Sequence, residues 1–214
     1  MHTFFDSDSW FMQLISRFSS LVVLNLVFLC TCIPIFTIGA ALTALYDVVF
    51  RMDSEREGQI VSTYFRAFAA NFKQSLPIWL LFLLLIAASC GNAVIFSNFG
   101  TFPGNILFVI SVVILINTLL VFGYVFPLLS QFDNTIVSTL KNSLLLAVAN
   151  LPRSLVITVI NCFPWVLLAM NLYAFIQLSF IWLVLYFAAA AYFNSRVLKK
   201  VFDPLREQTD SEDK

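Results

Sequence analysis

The chain has 214 residues, of which 60% are hydrophobic and 11% are charged, and its mean hydropathy is +0.91. This composition excludes an ordinary soluble domain and indicates a membrane protein. Twelve basic and twelve acidic residues leave no net charge, so the charge balance does not indicate a nucleic-acid partner. The four cysteines lie in apolar segments and there is one histidine. We therefore expect neither a disulfide framework nor a metal or cofactor site.

The first apolar stretch, residues 18–50, is too long for one straight membrane helix. As a helix it would be about 50 Å long, against a hydrocarbon core of about 30 Å. Pro34 and Gly39 are the residues at which we expect a helix break. Two arrangements satisfy this expectation: a single kinked span with the N-terminus outside, or a helical hairpin with both ends inside. Arg17 and Arg51 bracket the stretch and favour the hairpin, because cytoplasmic flanks carry Arg and Lys.

An acidic and a basic residue lie one helical turn apart near the end of this stretch. Asp47 and Arg51 have the i, i+4 spacing of an ion pair, and we interpret them as a pair at the membrane boundary. The alternative is a proton- or ion-coupled site, since acidic side chains at membrane depth are often functional. The structural pair is the simpler interpretation.

The segment from Ile60 to Lys73 has the periodicity of an amphipathic helix. Its apolar side chains fall within an arc of roughly 100°, and the basic side chains of Arg66 and Lys73 lie nearly opposite. The pattern predicts a helix that lies on the cytoplasmic membrane surface or on other helices. Packing and lipid anchoring explain such a helix, and a docking surface for a partner is the alternative. The candidate partner contacts are Arg66, Phe68, Phe72 and Lys73.

Further apolar segments alternate with polar links along the rest of the chain. A second amphipathic segment is expected within residues 130–154. With residues 18–50 this gives five to six membrane helices and two cytoplasmic-side amphipathic helices. Residues 1–200 would form one all-α transmembrane bundle, followed by a disordered cytoplasmic tail over residues 201–214. The remaining spans are predicted over residues 78–96, 106–129, 155–170 and 178–193, from their length and hydropathy.

Two parts of the chain resemble each other. Ile60-Val-Ser-Thr63 recurs as Ile136-Val-Ser-Thr139. Farther on, residues 70–78 resemble residues 149–157 at Ala, Asn, Ser, Leu and Ile. The pattern predicts a parallel internal repeat about an axis along the membrane normal. The predicted repeat units are residues 37–98 and 106–172.

Basic residues are confined to alternate links. Lys and Arg occur in the links at residues 51–76 and 130–154 and in the C-terminal tail, whereas the turns at residues 97–105 and 171–177 carry none. Cytoplasmic links of membrane proteins are enriched in these residues. We therefore expect all three basic segments, including the C-terminus, to be cytoplasmic.

Several stretches in the first part of the chain resemble one family of bacterial membrane proteins. They are Leu29-Cys-Thr-Cys-Ile-Pro-Ile-Phe-Thr-Ile-Gly-Ala40, Leu42-Thr-Ala-Leu-Tyr46, Tyr64-Phe-Arg-Ala-Phe68, Asn71-Phe-Lys-Gln74 and Ile78-Trp79. In these stretches the chain is similar to the YesL family, whose members tend to be found beside carbohydrate ABC transporter components and glycoside-degrading enzymes. The resemblance implies an accessory subunit for sugar import in the bacterial plasma membrane. It implies no catalytic residues, because none are established for the family.

The leading functional hypothesis is a non-enzymatic subunit, embedded in the lipid bilayer, that acts with the permease subunits of an oligosaccharide ABC importer. The alternative is a stand-alone transporter for a small polar solute, in which polar side chains line a path. An enzyme is the least favoured class, because the sequence has no recognisable catalytic dyad, metal cluster or phosphate-binding loop. The oligomeric state is left open. The polar residues considered for a transport path are Asn25, Asn92, Asn117, Asn161, Asn171 and Gln177.

Overall fold

The structure is a computed structural model that describes residues 10–52, 59–97 and 101–212, with side chains described for residues 15–52, 59–97 and 101–205. The described residues form helices and no β-strand, which confirms the predicted all-α class. In chain order the elements are α1 (Trp10–Cys32), a 3₁₀ turn (Ile35–Thr37), α2 (Ile38–Arg51), α3 (Ile60–Ser97), α4 (Phe102–Gln131), α5 (Ile136–Ala149), α6 (Leu151–Met170), α7 (Leu172–Gln177), α8 (Ser179–Ile181), a π-helical segment (Trp182–Tyr186) and α9 (Phe187–Glu212).

The helix lengths confirm a polytopic membrane bundle. α2 and α5 have 14 residues each, which corresponds to about 21 Å and is too short to cross a hydrocarbon core of about 30 Å. The segments that are long and apolar enough to cross a membrane are Ile15–Cys32, Ile60–Ser97, Phe102–Gln131, Leu151–Met170 and Ser179–Leu205.

α1 packs against the last helical stretch of the chain, and the two run in opposite directions. Near the start of α1, the guanidinium of Arg17 donates to the hydroxyl of Tyr192 over 3.3 Å. Near its end, the ring centroid of Phe28 lies 5.7 Å from that of Phe187. Residue numbers therefore rise along α1 as they fall along α9, so the two helices are antiparallel.

α2 runs in the same direction as α9. The amide of Asn194 donates to the hydroxyl of Tyr46 over 3.3 Å. Farther along both helices, the rings of Phe50 and Phe202 lie 6.0 Å apart. Because α1 is antiparallel to α9 and α2 is parallel to α9, α1 and α2 are antiparallel to each other. The structure thus has the helical hairpin and not the single kinked span, and the outer ends of both arms lie on the same side of the bundle.

An aromatic contact joins α9 to the C-terminal ends of α2 and α4 on that side. The ring of Phe202 lies 6.0 Å from that of Phe50 and 5.7 Å from that of Phe132. Val201 is buried beside this contact. The sequence predicted a disordered tail from residue 201, but the structure continues α9 to Glu212. The first residues of the predicted tail, Val201 and Phe202, stay helical because they belong to the core.

α3 is one continuous helix, about 57 Å long. The sequence predicted an amphipathic helix and a separate span that begins after Pro77. Pro77 instead lies inside the helix, although proline removes a backbone hydrogen bond there. Ser75, Ile78 and Trp79 are buried on both sides of it, so packing against the rest of the bundle offsets the lost bond.

The corresponding part of the second predicted copy is divided into two helices. α5 ends at Ala149 and α6 begins at Leu151, and the Asn150 between them has non-helical backbone angles (φ −122°, ψ 44°). Pro152 stands in the first turn of α6. Its ring has no N–H to donate to the carbonyl of Val148, so a continuous helix is disfavoured at this point.

The core lies where α2 is surrounded by α3, α4 and α9. α2 is buried over most of its length, and Tyr64, Tyr124 and Phe126 are among the largest fully buried side chains. Beyond this core the long helices expose apolar surface, as expected where helices face lipid. Exposed apolar side chains there include Leu84, Val109, Ile116, Val159 and Trp165.

Candidate functional site

The first half of α3 carries the residues that the sequence singled out as a partner surface. Arg66 and Lys73 are exposed, whereas Phe68 and Phe72 are half-buried, with their ring centroids 5.7 Å apart. Phe65, which belongs to the apolar pattern but not to the candidate contacts, is 49% exposed. The aromatic ring offered to a partner is therefore that of Phe65. We call Val61, Phe65, Arg66 and Lys73 the α3 outer face.

The buried side of the first half of α3 is formed largely by smaller residues. Thr63, Ala67 and Ser75 are buried together with Tyr64. Small side chains let the backbones of membrane helices approach each other closely. The helix is consequently rotated relative to its aromatic arc, so that Phe65 points outward. The four-residue spacing of Thr63 and Ala67 was the sequence pattern that could have predicted this orientation.

Asp47 and Arg51 form an ion pair at the end of α2. The guanidinium Nη2 and Nε donate to the same carboxylate oxygen over 3.0 Å and 3.2 Å. The Asp47 side chain is 8% exposed and that of Arg51 is 48% exposed. The carboxylate is therefore held inside the bundle while the guanidinium reaches its surface, as in a boundary pair.

Pro34 and Gly39 have different roles near the start of α2. Pro34 lies in the break between α1 and α2, in an extended conformation (φ −76°, ψ 117°). Gly39 lies inside α2 and does not break it, contrary to the sequence prediction. A Cβ at Gly39 would lie 2.6 Å from the Cβ of Trp79 and 2.8 Å from the carbonyl oxygen of Ser75. The missing side chain thus allows close contact between α2 and the backbone of α3.

Asn25 bonds to the backbone around the π-helical segment. Its side chain is fully buried, and its Nδ2 donates to the carbonyl oxygens of Trp182 and Leu183 over 3.2 Å and 2.8 Å. Its Oδ1 accepts from the N–H of Ala188 over 3.0 Å. A π-helical turn disturbs the regular backbone ladder, and Asn25 satisfies groups at this disturbance. These bonds join α1 to the last helical stretch, as polar side chains do between membrane helices.

A second buried polar group joins α2, α6 and α9. The amide of Asn194 donates to Oδ1 of Asn161 over 2.9 Å and to the hydroxyl of Tyr46 over 3.3 Å. Asn194 is fully buried, and its own Oδ1 has no hydrogen-bond partner. The sequence suggested Asn161 but not Asn194, because Asn194 precedes a basic segment and its burial depends on distant residues.

The other polar residues considered for a transport path belong to separate local structures. Asn117 donates to the carbonyl of Val113 in its own helix. Asn171 caps α7 by accepting from the N–H of Ala174, and Asn92 and Gln177 are exposed. Across residues 10–52, 59–97 and 101–212, no three His, Cys, Asp or Glu residues are grouped so that they could hold a metal ion. All four cysteines are free.

The fold and these polar contacts define a multi-pass α-helical membrane protein. Residues 21–92 match a family model described as a protein of unknown function, DUF624. YesL-type membrane proteins carry this domain, so the resemblance to that family is confirmed over these residues. The match covers the second half of α1, all of α2 and most of α3. Comparisons with curated proteins and with solved structures give no match.

Proposed function

We propose that this protein is a non-enzymatic membrane subunit that accompanies a carbohydrate ABC importer in the bacterial plasma membrane. The family resemblance suggests the class of partner. The observation that carries the docking role is the α3 outer face, on which Val61 and Phe65 are 41% and 49% exposed beside the cations of Arg66 and Lys73. An exposed aromatic ring flanked by positive charge suits a protein partner with a complementary acidic rim.

The ring of Phe65 is already partly fixed before any partner binds. Its centroid lies 5.6 Å from that of the buried Tyr64, in an edge-to-face arrangement. A side chain with a restricted rotamer loses less conformational entropy on binding than a free one. Phe65 is therefore the residue of this face that we expect to contribute most to docking.

The charge distribution suggests a cytoplasmic position for the docking face. The C-terminal ends of α2 and α4 meet α9 on one side of the bundle, through Phe50, Phe132 and Phe202. The links and ends on that side carry basic residues, whereas the turns at residues 97–105 and 171–177 have none. By the positive-inside rule, the basic side and the C-terminus are cytoplasmic.

Affinity purification in mild detergent from the native membrane tests the proposal. We expect permease and ATPase subunits to be recovered with the wild-type protein and to be reduced with Phe65→Ala and with Arg66→Glu. Leu84→Ala is the matched control, because Leu84 is 67% exposed on the same helix but outside the α3 outer face. Recovery of the wild type without any permease or ATPase subunit contradicts the accessory role. Undiminished recovery with both variants contradicts this docking face.

The buried polar group of Tyr46, Asn161 and Asn194 favours a second candidate function, a stand-alone transporter, because polar side chains inside a membrane bundle often mark a transport path. The two functions differ in what the isolated protein does. Reconstituted alone in vesicles, a transporter moves its solute across the membrane, whereas an accessory subunit does not. Asn194→Leu abolishes such movement if the group lines a path.

A further inference from the structure

The turn between α1 and α2 exposes large apolar side chains. Ile33, Ile35 and Phe36 are 80%, 64% and 53% exposed. Turns that face water are usually built from Gly, Asn, Asp and Ser, whose side chains tolerate or stabilise the turn in solvent. Contiguous exposed apolar side chains instead mark a surface that meets lipid or another protein.

The backbone of this turn is bonded within the protein. The hydroxyl of Thr37 lies 2.5 Å from the carbonyl oxygen of Thr31, and the N–H of Thr37 donates to the carbonyl of Pro34 over 3.0 Å. The indole N–H of Trp79, on α3, donates to the carbonyl of Ile35 over 2.7 Å. Non-helical backbone at membrane depth is tolerated where such groups are satisfied by protein.

α3 also holds the two arms of the hairpin together next to the turn. The hydroxyl of the buried Tyr64 lies 2.6 Å from Oγ1 of Thr31 on α1 and 3.4 Å from the carbonyl oxygen of Ala41 on α2. Gly39 lets the start of α2 approach the backbone of α3. Tyr64 therefore holds the two arms of the hairpin together, and Trp79 holds the turn itself.

The length of α2, taken along the membrane normal, places the turn inside the bilayer. α2 has 14 residues, about 21 Å, so a turn at its far end stops about 9 Å short of the opposite boundary when Arg51 marks the near boundary of a core of about 30 Å.

From these observations we infer that α1 and α2 form a re-entrant hairpin whose tip (Ile33, Ile35 and Phe36) lies in the hydrocarbon core and contacts lipid acyl chains. Thr37 and Trp79 hold the tip in place by bonding its backbone carbonyls. The inference is independent of any transport partner, because it rests on the turn and on the length of α2. It adds a lipid-binding surface on the membrane-embedded side of the protein.

Thiol labelling from each face of the membrane tests the position of the tip. A variant with all four cysteines replaced by Ala receives a single cysteine, Ile33→Cys, and is reconstituted with one orientation into phosphatidylcholine and phosphatidylglycerol vesicles. Thr101→Cys and Ser62→Cys are the controls, because both residues are exposed and lie at opposite ends of the bundle. We expect a membrane-impermeant maleimide to label the two controls from opposite faces and to label Ile33→Cys only after detergent is added.

A nitroxide at the same cysteine identifies what surrounds the tip. In lipid, its collisions with dissolved oxygen exceed its collisions with a water-soluble nickel chelate. Labelling from the Thr101→Cys face overturns the inference, because the tip then crosses the membrane. Labelling from the Ser62→Cys face overturns it as well, because the hairpin then lies in water. Rare collisions with both reagents overturn the lipid contact, because protein then covers the tip. Phe36→Cys repeats the test at a second position if the first variant fails to fold.

Discussion

Two segments of the chain with similar sequences fold differently, although their Asn residues make the same hydrogen bond. Residues 70–78 are helical throughout, within α3, whereas residues 149–157 are interrupted at Asn150. In each segment the Asn side chain donates to the carbonyl four residues earlier, from Asn71 to Ala67 over 3.0 Å and from Asn150 to Leu146 over 3.3 Å. The two segments therefore share this local hydrogen bond as well as residue types.

The Ser residues of the two segments share one bond and differ in the others. Ser75 donates to the carbonyl of Asn71 over 2.8 Å, and Ser154 lies 3.0 Å from the carbonyl of Asn150. Only Ser154 also reaches a different helix, since its hydroxyl lies 3.0 Å from that of Tyr124 on α4. It lies 2.8 Å from the carbonyl of Ala147, near the helix break.

The position of proline separates the two segments. In α3 the proline is Pro77, and the position equivalent to Pro152 is occupied by Lys73. Proline in either place removes a backbone hydrogen bond. In α3 the buried side chains around Pro77 keep the helix continuous, whereas at Pro152 the neighbouring Asn150 leaves the helical conformation. The comparison teaches that similar residues produce one helix or two according to where the proline falls.

The largest effect is expected when the break of the second segment is transferred to the first. Lys73→Pro should lower the free energy of unfolding by about 3 kcal/mol or more, because proline in a helix interior removes a bond and clashes with the preceding turn. Unfolding of the purified protein in mixed micelles of dodecyl maltoside and SDS measures the change. Lys73→Ala is the control, with an expected change within about 0.5 kcal/mol because Lys73 is exposed. Equal stability of the two variants would refute the importance of proline position.

The next effect concerns two glycines on neighbouring helices that pack closely against the two segments. Gly39→Ala should cost about 1–3 kcal/mol by overpacking, since the added Cβ meets the backbone of α3. Gly123→Ala should cost less, because its Cβ would meet only the side chain of Ile157, with Cγ2 at 2.8 Å. Gly91→Ala is the control, as nothing lies within 4 Å of its Cβ position. The same unfolding measurement ranks the three variants, and a cost at Gly91 equal to that at Gly39 would contradict the packing role.

A smaller effect separates the two Ser residues. Ser154→Ala should cost about 1–2 kcal/mol, because the buried hydroxyl of Tyr124 and the carbonyl of Ala147 both lose a partner. Ser75→Ala should cost less, since its hydroxyl bonds only to carbonyls of its own helix. Comparison of the two unfolding curves checks this difference. Equal costs would show that the bond to Tyr124 adds no stability.

The smallest effect on stability is expected when the proline of the second segment is removed. Pro152→Ala restores an N–H for the carbonyl of Val148 and should change the free energy of unfolding by less than about 1 kcal/mol. It should nevertheless join α5 to α6. The distance between nitroxides at Lys141 and Trp165, measured by pulsed electron paramagnetic resonance, should lengthen toward about 36 Å, the length of a continuous helix. An unchanged distance would mean that packing against α4, and not Pro152, positions the break.

The candidate surface was only partly predictable from the sequence. Arg66 and Lys73 were expected to be exposed, and they are, because charged side chains on an amphipathic helix avoid the core. Phe68 and Phe72 were expected to be equally available, yet they are half-buried while Phe65 is exposed. Hydrophobic periodicity treats aromatic residues alike and does not distinguish a lipid-facing ring from one that packs on a neighbouring helix.

The sequence by itself determined the all-α membrane class and the approximate positions of the spans, because span length and hydropathy are set by the thickness of the bilayer. It also limited the possible arrangements of residues 18–50 to two, a helical hairpin or a single kinked span. The tertiary structure alone decided that α1 and α2 are antiparallel, that α3 continues through Pro77, and that Gly39 serves packing. It also located the bonds of Asn25 and Asn194. These features depend on contacts between residues far apart in the chain, such as Asn25 with Ala188, and local periodicity carries no information about such contacts.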